Sequence, residues 1–407
     1  MKFFKITTNV FAVLNLDQDN GIQTTALWLR QRVRQVLTAN PWLAGSLWTN
    51  PRTGAPVLFV PHEVGDHEVE KSFSHLVVGD IYKCLKEQPA SLLCGAGPAA
   101  IDPNVPLWKV TLLSSARGKQ VAVVVSICHA LGDGATLYAT YGMLGSNETV
   151  RSLVFDFSST PSKRVSLFTT LRRTAGSCVT VLRMLPSFLA NGCDFPSSTR
   201  TCHIISSDWI ESEKRAYAET RAEHDPPFVT TNDVIVHRLL RSFSAVAVTV
   251  NMRKRSNGNA LSAGNCWSTL VIHKGESLAG IRQRIISSDK TPSAPRILNL
   301  EQKRVVTSST ACFYREIHVP GCSYKCLFQL PPKRPSSWSE KMSQAISIFR
   351  TLEYGVKGNI GIFKLNKDTL VVCSGLFESE DAMQKMFPRS CQSFSPYEGG
   401  LEKMTER

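Results

Sequence analysis

Several short patterns that would announce a chemistry are missing from this 407-residue chain. There is no G-x-G-x-x-G and no P-loop, so a glycine-rich cradle for a dinucleotide or a nucleoside triphosphate is not expected. There is no G-x-S-x-G elbow, which removes the covalent-serine route of acyl transfer. None of the 12 cysteines forms a C-x-x-C pair; the nearest approach, Cys322 and Cys326, does not make a zinc site. No apolar stretch reaches the ~20 residues that span a membrane. The opening MKFFKITTNVFAVLNLDQDN has too short an apolar core and no clean cleavage site for a secretory signal. The basic residues form no long block and match no zinc-finger or RRM pattern, so nucleic acid is not an expected partner.

What is present is a globular composition, 43% apolar and 20% charged, in a chain long enough for two domains or one large double core. The net charge of +14 suits a polyanionic partner, such as a phosphate-bearing cosubstrate or an anionic membrane. A chain of this size does not need disulfides. Cys128, Cys178, Cys266 and Cys373 lie in apolar contexts and are expected to be reduced core thiols of a cytoplasmic protein. The sequon at Asn147 does not overturn that expectation.

Along the chain, FFKITTNVFAVLNLD predicts a strand and IQTTALWLRQRVRQVLTAN an amphipathic helix, with Leu27, Val33, Val36 and Leu37 near helical spacing. The helix stops at Pro41. APVLFVP predicts a strand, and the mixed region 62–103 is not ordered by pattern alone. PLWKVTLLSS and QVAVVVSIC predict a hairpin turning at ARGK. The serine-rich 157–164 reads as a linker. After it, Leu167, Leu171, Ala175, Cys178, Leu182 and Leu185 lie on one face of a basic amphipathic helix whose other face carries Arg172, Arg173 and Arg183. Such a helix packs on the body of a protein or meets an anionic membrane. The second half has the same mixed character. Strands are predicted at TCHIIS, SAVAVTVNMRKR and AGNCWSTLVI, and helices at SSDWIESEKRAYAETR, VTTNDVIVHRLLR and ESLAGIRQRIISS. A hairpin turning at Asn366–Asp368 and a terminal helix at SEDAMQKMF follow. Hairpins mixed with helices imply mixed sheets with helices packed on them, not a Rossmann fold. The expected division is 1–155, a linker 156–200 with the basic helix, and 201–407.

The chemistry concentrates in HALGDG, residues 129–134. A histidine at the end of a buried strand can be aimed into a cleft as a general base. Asp133 can hold the turn or pair with a basic residue, and Gly134 frees the backbone to enter a helix. Acyl transfer fits this equipment: His129 deprotonates a hydroxyl or amine that attacks a thioester directly. Cys128 is a tempting nucleophile, but strand alternation turns it into the core. The pattern by itself is cheap. HEVGD, residues 62–66, also follows an apolar strand, lacks the glycine, and reads as a solvent-facing loop.

H-x-x-x-D-G together with NPWLAGSL, PLWKVTLL, VTTNDVIVHRLLR and VNMRKRSNGNALSAGN, in this order, resembles the CoA-dependent acyltransferase superfamily of BAHD-type enzymes, chloramphenicol acetyltransferase, wax ester synthases and condensation domains. The resemblance implies an α/β fold of two chloramphenicol-acetyltransferase-like domains, each a mixed sheet with packed helices, joined by a crossover, with a channel between them. It implies His129 as catalytic base and Asp133 as a structural residue paired with an arginine, Arg253 first and Arg255 second. It places Thr231, Asn232 and Arg255 near the channel; the residue types of Thr231, Asn232 and Asp233 are equally those of a helix N-cap. The implied partners are acyl-CoA as co-substrate, with no permanently bound cofactor or metal, and a small alcohol or amine; a monomer is expected. A wax ester or glyceride synthase held to lipid through 166–190 is the alternative enzyme, and a non-catalytic binding protein on the same scaffold the alternative class. The sequence departs from the family in CFYREIHVPGCSYKC, which keeps little of the plant DFGWG motif, in Cys128 where condensation domains carry a second histidine, and in a short loop after Arg255 without the usual prolines.

Overall fold

Strand β1 (Thr7–Leu16) and the central strand β6 (Gln120–Cys128) form the spine of the first sheet; β6 is paired on both edges and packed on both faces, and is buried from Val121 to Cys128. The computed structural model describes residues 7–17, 21–52, 56–116, 118–155, 199–253, 261–287, 304–329, 356–376, 387 and 392–394. Around the spine lie α1 (Gly21–Ala39), the two-stranded β2 (Ser46–Thr49) and β3 (Pro56–Phe59), α2 (Asp66–Ser72), β4 (Phe73–Val78), α3 (Ile81–Glu87), β5 (Trp108–Ser115), α4 (Gly134–Gly142) and the short β7 (Val154–Phe155). Chain order continues with β8 (Thr199–Ile205), α5 (Ser207–Thr220), α6 (Thr231–Leu239), β9 (Ala245–Asn251), β10 (Ser262–Ala263), β11 (Trp267–His273), α7 (Leu278–Ser287), β12 (Arg304–Ser309), β13 (Cys322–Phe328), β14 (Val356–Lys364), β15 (Leu370–Leu376) and β16 (Gln392–Phe394).

The first sheet runs β13-β1-β6-β5-β4 and the second β11-β9-β12-β14-β15-β8-β16. Both are mixed: β4 is parallel to β5, and β12 is parallel to β9 and β14, while the other pairs are antiparallel. β13 comes from the second half of the chain yet pairs with β1, so the first sheet is completed by a crossover.

Strand alternation sorts the core into layers. Val10, Ala12 and Leu14 of β1 stand opposite Val125, Val123 and Val121 of β6 and pack with Leu29, Val33, Val36 and Leu37 of α1 and with Leu137, Tyr138 and Tyr141 of α4. The intervening residues, Phe11, Val13, Ala122 and Val124, turn the other way and pack with Phe363, Val371 and Cys373 of the second sheet. The outer face of the second sheet is covered by α5, α6 and α7 through Ile210, Val234, Ile235, Ile281 and Ile285. The halves therefore share a buried core. In α1 the inward stripe is 29, 33, 36 and 37; Leu27, expected on it, is 68% exposed, and Leu29 takes its place.

Two expectations about the chain need correction. Cys373 is not a reduced thiol: it stands opposite Cys202 on neighbouring strands β15 and β8, and the two are joined as a disulfide. The pairing was invisible in the sequence because 171 positions separate the two cysteines. Cys128 is a buried free thiol, as expected, while Cys266 is a free thiol that is only half-buried. Secondly, AGNC does not run into the strand that follows it: β11 starts at Trp267, Ala263 ends the short β10, and 264–266 form a loop with Gly264 at φ +98°. The expected strands and helices otherwise occur where they are described, the 62–103 region resolves into α2, β4, α3 and two 3-10 turns, and Cys178, the basic helix around 166–190 and most of SEDAMQKMF lie outside the described residues.

His203 on β8 is 2% exposed and sits beside the Phe387 ring at 5.8 Å. Burial pushes its pKa down to about 4 from 6.5, so the folded protein holds it neutral. In the unfolded chain it takes up a proton near pH 6.5. Stability from this residue is therefore undiminished above pH 6.5 and falls as the pH drops towards 4, by about 1.4 kcal/mol per unit at most. In urea titrations, His203→Phe is expected to recover about 2 kcal/mol relative to wild type between pH 7 and pH 5; parallel curves for the two proteins would contradict this.

Candidate active site

β6 delivers the histidine. Its last residue, Cys128, donates its amide to Leu107 O at 2.7 Å, and Leu131 N bonds back to Cys128 O at 2.8 Å, which closes a turn around half-buried His129. Asp133 ends the turn as the N-cap of α4, accepting from Thr136 N at 3.0 Å. Gly134 follows because a Cβ there would lie 2.9 Å from Thr310 Cγ2, on the chain that leaves β12. Cys128 is fully buried and burial pushes its thiol pKa up, so it is a poor thiolate nucleophile.

Arg253, just past β9, reaches Asp133 from the other half of the chain. Its Nη1 donates to Oδ2 and its Nη2 to Oδ1, both at 2.8 Å, a two-pronged ion pair in which each residue is 6% exposed. The remaining guanidinium donors are also used: Nε to Ser262 O at 2.7 Å, Nη2 to Gly264 O and Thr136 Oγ1 at 2.8 Å, and Nη1 to Asn251 Oδ1 at 3.3 Å. Asp133 Oδ2 further accepts the amide of Cys266 at 3.1 Å, and Asp133 N donates to Gly264 O at 3.3 Å.

The loop 261–266 is thereby knitted to the histidine turn. Thr136 Oγ1 accepts from Gly264 N at 3.1 Å, and Asn265 Nδ2 donates to the carbonyl of His129 at 2.6 Å. The loop is also clipped to the first half where β10 pairs with β7. Phe155 of β7 stacks on Trp42 of the NPWLAGSL segment with ring centroids 4.4 Å apart.

The structure thus brings His129, Asp133, Gly134 and Arg253 together. Thr231 and Asn232 form the first turn of α6, whose cap is Thr230 in a reciprocal box with Asp233, at 3.3 and 2.7 Å. No hydrogen bond among the described residues ties Thr231 or Asn232 to Asp133, Arg253 or Thr136. Arg255 lies outside the described residues. The other H-x-x-x-D, His62 to Asp66, is an exposed loop whose aspartate opens α2 and meets Arg30 and Arg34. Sequence reasoning assigned no part to Thr136, Gly264 or Asn265. The last two fall inside the SAGN segment, and the only signal for Thr136 was its place three residues after a capping aspartate.

Neither a family model nor a curated protein matches the sequence. Solved structures do match in shape. TRI101 of F. sporotrichioides, solved with coenzyme A and T-2, is similar over 94% of both chains with a TM-score of 0.61 and 13% identity. The first condensation domain of the calcium-dependent antibiotic synthetase, bound to a substrate analogue, covers 93% of this chain and 88% of its own with a TM-score of 0.56 and 12% identity. Polyketide synthase associated protein 5 from Mycobacterium tuberculosis covers 93% and 91% with a TM-score of 0.54 and 10% identity. The chain shares the two-domain α/β fold of these proteins. In this fold the crossover strand β13 and the shared inter-sheet core hold the two halves as one framework for the Asp133–Arg253 joint.

Removing one member of that joint leaves the other charge buried and unpaired. Arg253→Met and Asp133→Asn are each expected to lower unfolding free energy by about 3–5 kcal/mol. The double variant should lose less than the sum, because the two act on one interaction. Additive losses in denaturant titrations would show that the pair is not coupled.

Proposed function

We propose that the protein is an acyl-CoA-dependent acyltransferase that moves an acyl group from a thioester to a small alcohol or amine, with His129 as general base. The observation that carries this reading is the half-buried histidine at the end of β6 whose turn is locked by a buried ion pair from the opposite half of the chain. Such rigidity is what proton transfer at a fixed distance requires. Two similar structures support the substrate class: TRI101 was solved with coenzyme A and T-2, and the F. graminearum protein with coenzyme A and deoxynivalenol.

In the proposed reaction the imidazole of His129 takes the proton of the acceptor hydroxyl or amine as its oxygen or nitrogen attacks the thioester carbonyl. The tetrahedral intermediate then expels the CoA thiolate, which receives the proton from the imidazolium. The products are the ester or amide and free CoA thiol, and the base is regenerated. No enzyme nucleophile takes part, in keeping with the raised pKa of buried Cys128. Asp133 and Arg253 act on the turn and not on the substrate. No helix among the described residues is long and apolar enough to cross a membrane, and the segment 166–190, on which the lipid-bound alternative rests, lies outside them.

Free thiol release from acyl-CoAs, measured with a panel of alcohols and amines, tests the proposal. His129→Ala should reduce kcat by about 10²–10⁴-fold while the protein stays folded. Turnover equal to wild type in that variant rules out the general-base role, and thiol release with no donor–acceptor pair favours a binding protein on the same scaffold.

A further inference from the structure

We infer that Asn265, in the second half of the chain, is a positioning residue that sets the aim of His129. The inference rests on the acyltransferase reading for its kinetic consequence, but its geometry stands without it. The Asn265 amide nitrogen donates to the main-chain carbonyl of His129 at 2.6 Å, across 136 positions of sequence. That bond holds the peptide plane between His129 and Ala130. With the amide of Cys128 already fixed to Leu107 O, the backbone on both sides of the histidine is pinned and the imidazole is launched from a fixed base.

The direction of the Asn265 side chain is determined. Its Oδ1 is buried without a hydrogen-bond partner among the described residues. Turning the amide over would set two oxygens 2.6 Å apart, so Nδ2 must face His129. A buried carbonyl oxygen left without a donor is unfavourable. The fold retains one here in exchange for a donor on the histidine turn, which is the pattern expected of a group kept for its orientation.

Asn265 is itself placed by the ion pair. Gly264 before it accepts from Arg253 and Asp133, and its amide donates to Thr136; Cys266 after it donates to Asp133. Gly264 needs φ +98°, which other residues rarely adopt, to bring both neighbours onto the turn. Asp133 and Arg253 therefore act on His129 by two routes: through the turn that Asp133 caps, and through the loop that presents Asn265. The second route makes the site a joint construction in which the first half supplies the base and the second half aims it.

The test uses the full chain with the isosteric Asn265→Asp, which replaces the donor by a carboxylate, and Asn265→Ala. The imidazole resonances are followed by NMR; with nine histidines in the chain, the His129 signal is identified by its loss in His129→Ala. Both variants should move the His129 signal or its titration midpoint while leaving the other histidines and the melting temperature near wild type. Thiol release should show kcat lowered by about 100-fold with KM for acyl-CoA nearly unchanged. If Asn265→Ala does not fold, Asn265→Asp, of equal volume, is read alone. An unmoved His129 signal in a folded variant, or wild-type kcat, overturns the inference. A moved signal in a protein that releases no thiol with any substrate pair upholds the positioning and overturns the proposed reaction instead.

Discussion

The buried ion pair between Asp133 and Arg253 is the constraint on which the arrangement around His129 depends. Each residue is 6% exposed, and each charge alone would carry a desolvation penalty of several kcal/mol. Together they are matched by a two-pronged contact, and the donors of Arg253 that Asp133 does not take are used by Ser262, Gly264, Thr136 and Asn251. Well-packed apolar side chains can be as stabilising as such a pair. What apolar packing does not supply is direction. The fork of Arg253 fixes the angle at which β9 and the loop after it meet the start of α4, and that angle decides where the histidine turn lies relative to the second half.

The sheets make the pair possible. β6 is central in the first sheet and β9 lies within the second, so both charged side chains are carried near the ends of well-paired strands. The apolar layer of Phe11, Val13, Val124, Phe363 and Val371 presses the sheets together, and β13 ties them by joining the first sheet from the second half. Smaller contacts finish the seam around α4. Thr310, whose amide bonds Ile362 O at 2.8 Å, fills the space that Gly134 leaves, and β10 pairs with β7 beside the Trp42–Phe155 stack. A side chain at 134 would push Thr310 away from α4.

Much of this was legible in the sequence because it is written in local patterns. The run of β-branched residues in QVAVVVSIC located the strand that ends at His129, and the resemblance carried by NPWLAGSL, HALGDG, TTND and NMRKR, in that order, implied the fold and Arg253 as the partner of Asp133. What was not legible depends on contacts between distant backbones. Asn265 bonds the main-chain carbonyl of His129, and Gly264 uses its own amide and carbonyl to bond Thr136 and Asp133, all more than 120 positions away, and main-chain atoms carry no residue signature. The Cys202–Cys373 bridge needed the strand order β15-β8, which periodicity does not give. Leu27 and Leu29 are both leucines in one amphipathic stretch, and only the packing of α1 on the first sheet shows which faces inward. Thr231 fits the composition of a helix start, yet Thr230 is the residue that caps.

The saturation of Asp133 bears on how the proposed reaction divides its labour. In a serine-protease type triad the aspartate bonds the histidine, fixing its tautomer and stabilising the imidazolium. Here the carboxylate oxygens are taken by Nη1 and Nη2 of Arg253, the amides of Thr136 and Cys266, and the Thr136 hydroxyl at 3.2 Å. An aspartate so engaged, beside a permanent cation, has neither the free lone pair nor the uncompensated charge to serve an imidazole. Stabilisation of His129 as it takes up a proton in the proposed reaction is therefore not the work of Asp133. In that reaction the proton is returned within the catalytic cycle, because the thiolate produced by collapse of the intermediate accepts the proton that the base removed one step earlier.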